Sequence, residues 1–185
     1  MSNEVLGDRG KALEDMFFAK ENEKYRQAQQ EEEEAQNRKE ALSASSGITD
    51  DAVLEQLVAL EIHSDTLAAL ALVPLVEVAW ADGTMDDKER SAILSAAEDS
   101  GLSSDSAALL DGWLDRQPGS EVLSAWKDYV AALTSTMDSV TKDKLKQELL
   151  RRARTVAESA GGILGIGKIS SEEEDKLEEL ARAFS

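Results

Sequence analysis

Acidic side chains crowd one turn of this sequence. Asp82, Asp86, Asp87 and Glu89 all fall within residues 82–89, around Gly83. Clustered carboxylate oxygens are the ligands that hard divalent cations take. The spacing therefore predicts a weak divalent-cation site built from Asp82, Asp86 and Glu89, with Glu77 as a further candidate. It is not an EF-hand: with Gly83 as the loop glycine, the first ligands would be Val78 and Trp80, which carry no oxygen donor. The competing reading is a capped helix start. Asp86 as N-cap and Glu89 three residues on form a capping box, and acids are favoured at the positive end of a helix. Glu77 is the one charge in the surrounding apolar run. A buried carboxylate there needs a core arginine, an exit to the helix edge, or a proton.

Other combinations lack parts. Gly162-Ile-Leu-Gly-Ile-Gly-Lys168 nearly spells a phosphate-binding loop, but Ile169 stands where the magnesium-binding hydroxyl belongs and a helix precedes it instead of a strand. His63 is the sole histidine and there is no cysteine. Catalytic triads, zinc sites, thiolate chemistry and disulfides are thus without their residues. Lys142, Lys144, Lys146, Arg151, Arg152 and Arg154 form one basic concentration. The chain as a whole carries −18, which opposes nucleic acid and anionic membranes, so this cluster reads as a helix paired with acidic neighbours. Trp80, Trp113 and Trp126 lie on apolar faces and read as core. No nucleophile–base set emerges, and the expectation is a non-enzymatic protein with no cofactor beyond a weakly bound divalent cation.

The elements that position these residues are helices. Among the 185 residues, 42% are hydrophobic, 4% are aromatic and only two are proline. That composition favours an all-α fold. The most apolar stretch, Leu67 to Ala81, is interrupted only by Pro74 and Glu77. A helix apolar on every side belongs in a core, and this one is too short to cross a bilayer. The pattern predicts a central helix over 66–81, bent at Pro74. Around it, helical spacing and caps predict further helices. One is capped at Thr49-Asp50 and one at Asp86; the next start at Ser103 or Ser104 and at Ser120; the last pair run over about 138–160 and from Ser170 or Ser171. Gly83–Glu89 and Gly167–Glu173 align without gaps as glycine turn, apolar residue and capping box, which suggests two helix starts facing each other with Met85 beside Ile169.

Residues 1–46 stand apart as a charged N-terminal helical arm, with Ser43–Gly47 read as a linker to a domain over 47–185. Leu13, Met16, Phe17 and Phe18 gather the arm's large apolar side chains, with Tyr25 beyond. Leu13, Met16 and Phe17 share a helical face. Residues 27–42 have no apolar stripe, so a long coiled coil is not expected. The N-terminus has no apolar secretory segment, which makes a cytoplasmic location the expectation.

Two resemblances extend this reading. Residues 67–100 resemble the TerB-like family of tellurite-resistance and stress proteins: an apolar helix, then Ala81, Asp82, Gly83, Met85 and Glu89, then an amphipathic helix ending at Gly101-Leu102. The resemblance implies a compact multi-helix, non-enzymatic domain over 47–185, with an acidic surface and a link to metals or membrane-associated complexes. Residues 7–26 are similar to the inhibitory segment of the ATPase inhibitor protein family, through Gly7, Arg9, Ala12, Glu14, Phe17 and Phe18. That similarity implies a helix that inserts into a partner.

These readings give a TerB-like interaction or stress-response module whose arm docks another protein through Leu13, Met16, Phe17 and Phe18. The alternatives are an inhibitor-like regulator of a rotary F-type ATPase and a weak divalent-cation-binding protein. No membrane insertion and no nucleic-acid partner are expected, and a homo-oligomer is a candidate assembly.

Overall fold

A computed structural model describes the backbone of residues 2–160 and 169–185, and the side chains of 16–160 and 169–185. Among the described residues there are eight α-helices and no strand, so the protein is all-α. They are α1 (Ser2–Ser46), α2 (Asp51–Ala59), α3 (Val73–Ala79), α4 (Asp87–Asp99), α5 (Ser104–Asp115), α6 (Ser120–Thr134), α7 (Ser139–Ala160) and α8 (Ser171–Arg182). A 3-10 segment, Leu67–Leu72, leads into α3.

The apolar run is the centre of the bundle, as its composition requires. Residues 72–79 are all buried, and α3 packs against α4, α6, α7 and α8. Its form differs from the expected bent helix. Pro74 sits in the first turn of α3, where its missing N–H costs no hydrogen bond, and the tighter 3-10 coil precedes it. The break at proline is a change of helix type. Trp126 is 1% exposed and meets the Phe184 ring edge-on at a centroid distance of 6.3 Å, pinning the C-terminus to α6. Trp80 Nε1 donates to the Trp113 carbonyl at 2.9 Å, tying the end of α3 to α5.

Helix ends follow the caps. Asp50 caps α2, Asp86 caps α4, Ser103 caps α5 and Ser170 caps α8, the second and fourth as complete capping boxes. The expected Ser120 cap is instead the first residue of α6, behind Gly119, which offers no side-chain cap. The C-terminus of α2 is unusual. Ile62 N–H donates to Leu57 O and Glu61 N–H to Val58 O, the paired bonds of a Schellman motif. The residue that must turn left-handed there is Glu61, at φ 57°, where glycine is the unstrained choice. The turn persists because it delivers Ile62, 1% exposed, into the core. Glu61→Gly should raise the melting temperature by about 2–4 °C, the equivalent of about 1 kcal/mol in a chain of this size. Thermal unfolding followed by circular dichroism measures it.

The junction with the arm also differs from expectation. Ser43–Ser46 are helical, so α1 runs unbroken to Gly47, whose φ of 73° ends it. Serine hydroxyls turn inward on the backbone: Ser46 Oγ donates to Leu42 O at 2.7 Å and Ser43 Oγ to Ile48 O at 2.7 Å. Leu42 is 0% exposed and Ile48 is 4% exposed. The serines thus close a helix end over two core residues, and the arm is rooted, not tethered.

Candidate functional site

The arm has a root and a tip. At the root, Leu42 enters the core while Lys39 Nζ reaches Asp51 at 2.8 Å and Glu55 at 3.2 Å, clamping α1 to α2. Those two carboxylates hold the Lys39 pKa above its ordinary value, the Asp51 hydrogen bond most strongly. Proximal to the tip, nearly every side chain from 16 to 38 is exposed, Ala35 alone being half-buried. A helix of 45 residues is about 68 Å long, so the tip stands far from the bundle. There Met16 is 70% exposed, Phe17 62%, Phe18 59% and Tyr25 68%. Four of the six exposed large hydrophobic residues among the described side chains lie in this one stretch. The Phe17 and Phe18 rings meet each other edge-on at 6.0 Å. The fourth residue of the expected set, Leu13, belongs to the same helix, and its side chain lies outside the described residues.

The acidic turn is built differently from a ligand cage. Asp82 Oδ1 accepts from Thr84 N–H and Oγ1, both at 2.9 Å, in a tight turn around Gly83. Asp86 Oδ1 accepts from the N–H groups of Lys88 and Glu89, and Glu89 Oε2 accepts from Asp86 N–H at 3.0 Å. Asp82 and Asp86 are exposed, whereas Glu89 is 4% exposed. The three carboxylates are thus divided between solvent and core, each engaged by backbone or hydroxyl donors. Among the described residues, no group of three or more acidic or histidine side chains is placed to hold a metal ion.

Glu89 has a different property. Burial, opposed by its hydrogen bond from Asp86 and reinforced by the charges of Glu173, Asp86 and Asp82, raises its pKa to about 7. Glu173 is the matching capping-box residue of α8 and is itself 8% exposed. The two aligned capping boxes therefore lie close enough for their glutamates to interact, as the sequence repeat suggested. Met85 and Ile169 both pack against the core; Gly167 and the glycine-rich segment at 161–168 lie outside the described residues. A carboxylate whose folded pKa exceeds its ordinary 4.5 contributes stability that is complete below that value and is lost as pH rises through about 7. Glu89→Gln keeps the acceptor for Asp86 N–H and removes the charge. The variant should melt several degrees higher than the parent at pH 8, with the advantage vanishing by pH 5. Paired melting curves across that range check the sign.

Glu77 finds its partner in a lysine, where an arginine or the helix edge had been expected. It is 8% exposed, and Lys176 Nζ of α8 lies 3.3 Å from it. Lys176 also contacts Glu179 at 2.9 Å, and Glu179 contacts Lys127 of α6 at 2.6 Å. The four charges alternate and staple α3, α6 and α8. Burial raises the Glu77 pKa against the pull of Lys176, while the Lys127 and Lys176 hydrogen bonds hold Glu179 down at about 2. Sequence reasoning missed Lys176, Glu179 and Lys127 because their partners on other helices lie far off in the chain, Lys176 about 100 residues from Glu77 and Lys127 52 residues from Glu179. The available signal was a lysine on the apolar side of α8, one residue before Leu177.

His63 is half-buried in the loop before the 3-10 segment, with Nδ1 2.8 Å from Thr66 Oγ1, a local bridge. Of the basic cluster on α7, Arg151 and Arg152 pair with Glu148, and Arg154 pairs with Glu174 of α8. An apolar groove of about 410 Å³ runs between Leu67, Leu70, Trp126, Tyr129, Leu145 and Phe184, and carries no titratable group other than Tyr129. None of the helices among the described residues is long and apolar enough to cross a membrane. No protein-family model, no curated protein and no solved structure matches this chain.

Proposed function

We propose that the protein is a non-enzymatic helical interaction module that presents a docking helix to another protein. The observation that carries this reading is the pair Phe17 and Phe18, 62% and 59% exposed on a helix whose other end is fixed in the core. Adjacent helical residues point about 100° apart, so a partner that covers both must wrap the helix as a groove does. Burying two phenylalanines contributes roughly 3–6 kcal/mol before ordering costs. Because α1 is already helical and rooted, less of that gain is lost to ordering than for a free peptide. The resemblances to TerB-like proteins and to ATPase inhibitor segments agree in kind: a helical stress-response module, and a helix that works by insertion into a partner. Rotary F-type ATPase regulation remains the second reading, favoured by the arm's exposed aromatic pair at the positions that carry that similarity.

The test is a Phe17→Glu/Phe18→Glu double variant. Both sites are solvent-facing, so the melting temperature should stay within about 1 °C, as surface substitutions do. Proteins that co-purify with the parent chain should be reduced at least tenfold. An unchanged set of co-purifying proteins at an unchanged melting temperature would end the docking reading. ATPase subunits among those lost would select the second.

A further inference from the structure

Helices α6 and α7 are joined by residues 135–138 alone, yet they do not pack along one another; each packs on α3. Between them lies the apolar groove of about 410 Å³. One wall is α6, through Trp126, Tyr129, Val130 and Leu133, and the other is α7, through Leu145 and Leu149. The floor is the 3-10 segment. Residues three apart eclipse in that coil, so Ala68 and Ala71 stand one above the other as a strip with no side chain beyond Cβ. Both are exposed, and Leu67, Tyr129, Leu133, Leu145 and Leu149 around them are only half-buried. Apolar surface from three elements is thus left facing one trough, where an apolar ligand would take it out of water.

The volume and the lining select the class of occupant. Ligand pockets run from about 300 to 1,000 Å³, and this groove lies toward the small end. A helix about 10 Å across fills such a volume in about one turn, which is too little contact to hold a protein segment. A single acyl chain uses it along its whole length. Few polar groups face it. Ser45 Oγ donates to Leu42 O at 3.1 Å, while the Tyr129 hydroxyl makes no hydrogen bond among the described residues. A ligand with many hydrogen-bonding groups would leave them unpaired there.

Charge decides the head group. Lys142 stands three residues before Leu145 on α7, and on a helix it projects within about 20° of Leu149 and about 60° of Leu145. All three are half-buried. Lys142 therefore continues the apolar wall, its stem on apolar surface and its ammonium at the mouth. Arg151, Arg152 and Arg154 take acidic partners, whereas Lys142 forms no ion pair among the described residues. Lys146, half-buried and about 60° around the helix from Leu149, forms none either. The acids nearest in sequence are engaged or turned outward: Asp138 accepts from Val140 and Thr141, Glu148 pairs with the arginines, and Asp143 is exposed. On a chain of −18, two unpaired cations beside an apolar trough favour an anionic head.

We propose that this groove binds one molecule of a fatty-acid carboxylate, its chain against Leu145 and Leu149 over the Ala68–Ala71 floor and its head at Lys142. The source is the free amphiphile and not a bilayer, because the charge of the chain opposes an anionic membrane. The site is separate from the arm, and neither reading falls with the other.

Titration of the full chain with laurate, kept below its micelle concentration, tests the site. Calorimetry at two temperatures detects binding even where the enthalpy passes through zero at one of them. One laurate should bind per chain, with a Kd on the order of 10 μM at low salt. Affinity should rise about fourfold for each methylene added between octanoate and laurate. Ala71→Trp, at an exposed floor position, should cut laurate affinity at least tenfold while the melting temperature stays within about 2 °C. Lys142→Glu should weaken laurate on the order of tenfold and leave lauryl alcohol within about twofold, a split that a merely structural defect would not produce. Vesicles of an anionic phospholipid should not carry the chain down on sedimentation. No binding at either temperature, affinity indifferent to chain length or to Ala71→Trp, equal losses of laurate and lauryl alcohol in Lys142→Glu, or co-sedimentation with the vesicles would each overturn the proposal. A dimer of the parent chain that Ala71→Trp disperses would also overturn it, and would give the groove to a second copy.

Discussion

Lys176→Met should destabilise the bundle by about 3–5 kcal/mol at pH 8, because it leaves the Glu77 carboxylate unpaired in the core. Glu77 is 8% exposed, and Lys176 is the cation in contact with it. Methionine fills much of the lysine volume, so the loss reports charge more than packing. The effect should depend on pH. Burial already raises the Glu77 pKa, and Lys176 is the main influence pulling it down. Without that lysine, Glu77 takes up a proton at higher pH, and the neutral acid is tolerated. The cost should therefore shrink on acidification. Glu77→Gln combined with Lys176→Met should recover most of the loss, since no charge is then left unpaired. Urea unfolding of the four members of this cycle, at pH 8 and pH 5, gives the coupling energy directly. A loss equal at both pH values would mean that packing, not charge, is what Lys176 supplies.

Leu42→Ala should cost about 2–5 kcal/mol, the range for emptying a leucine site in a core. Leu42 is 0% exposed although it belongs to the arm helix. The same residue decides how the arm can be removed. A truncation that deletes residues 1–42 takes Leu42 and Lys39 with it, and should lower the melting temperature for reasons unrelated to docking. A truncation that deletes residues 1–37 keeps Leu42, Lys39 and the contacts to Asp51 and Glu55, and should melt with the parent. Comparing the two by thermal unfolding separates root from tip. Equal melting temperatures for both truncations would show that the arm is not rooted through Leu42.

The helices and their caps were readable in the sequence because both depend on near neighbours. Asp50, Asp86, Ser103 and Ser170 cap where short-range rules place them, and the apolar run from Leu67 to Ala81 is central because it has no polar face to expose. What was not readable depended on distance or on competition. Pro74 began a helix instead of bending one, since a proline inside a first turn breaks no bond. Ser43–Ser46 looked like a linker by composition, yet their hydroxyls bond back onto the helix that Leu42 anchors. Lys176 could be matched to Glu77 only once α8 was known to lie along α3. At the candidate site, the exposure of Phe17 and Phe18 followed from their charged neighbours. For the acidic turn, composition could not distinguish oxygens free for a cation from oxygens already accepting backbone hydrogen bonds. The structure shows one oxygen of each of Asp82, Asp86 and Glu89 in the second condition.

Amide hydrogen exchange most directly tests whether the arm tip is the recognition surface. The chain should be compared free, at high dilution, with the same chain in the assembly isolated from its cells. In the free chain, amides of 16–30 should exchange fast, since the side chains of that stretch are all exposed, while α3 and the root at Leu42 exchange slowly. In the assembly, slowing should concentrate between residues 13 and 26. Unchanged exchange there, with new protection on the faces of the bundle, would contradict the account and move the recognition surface to the body.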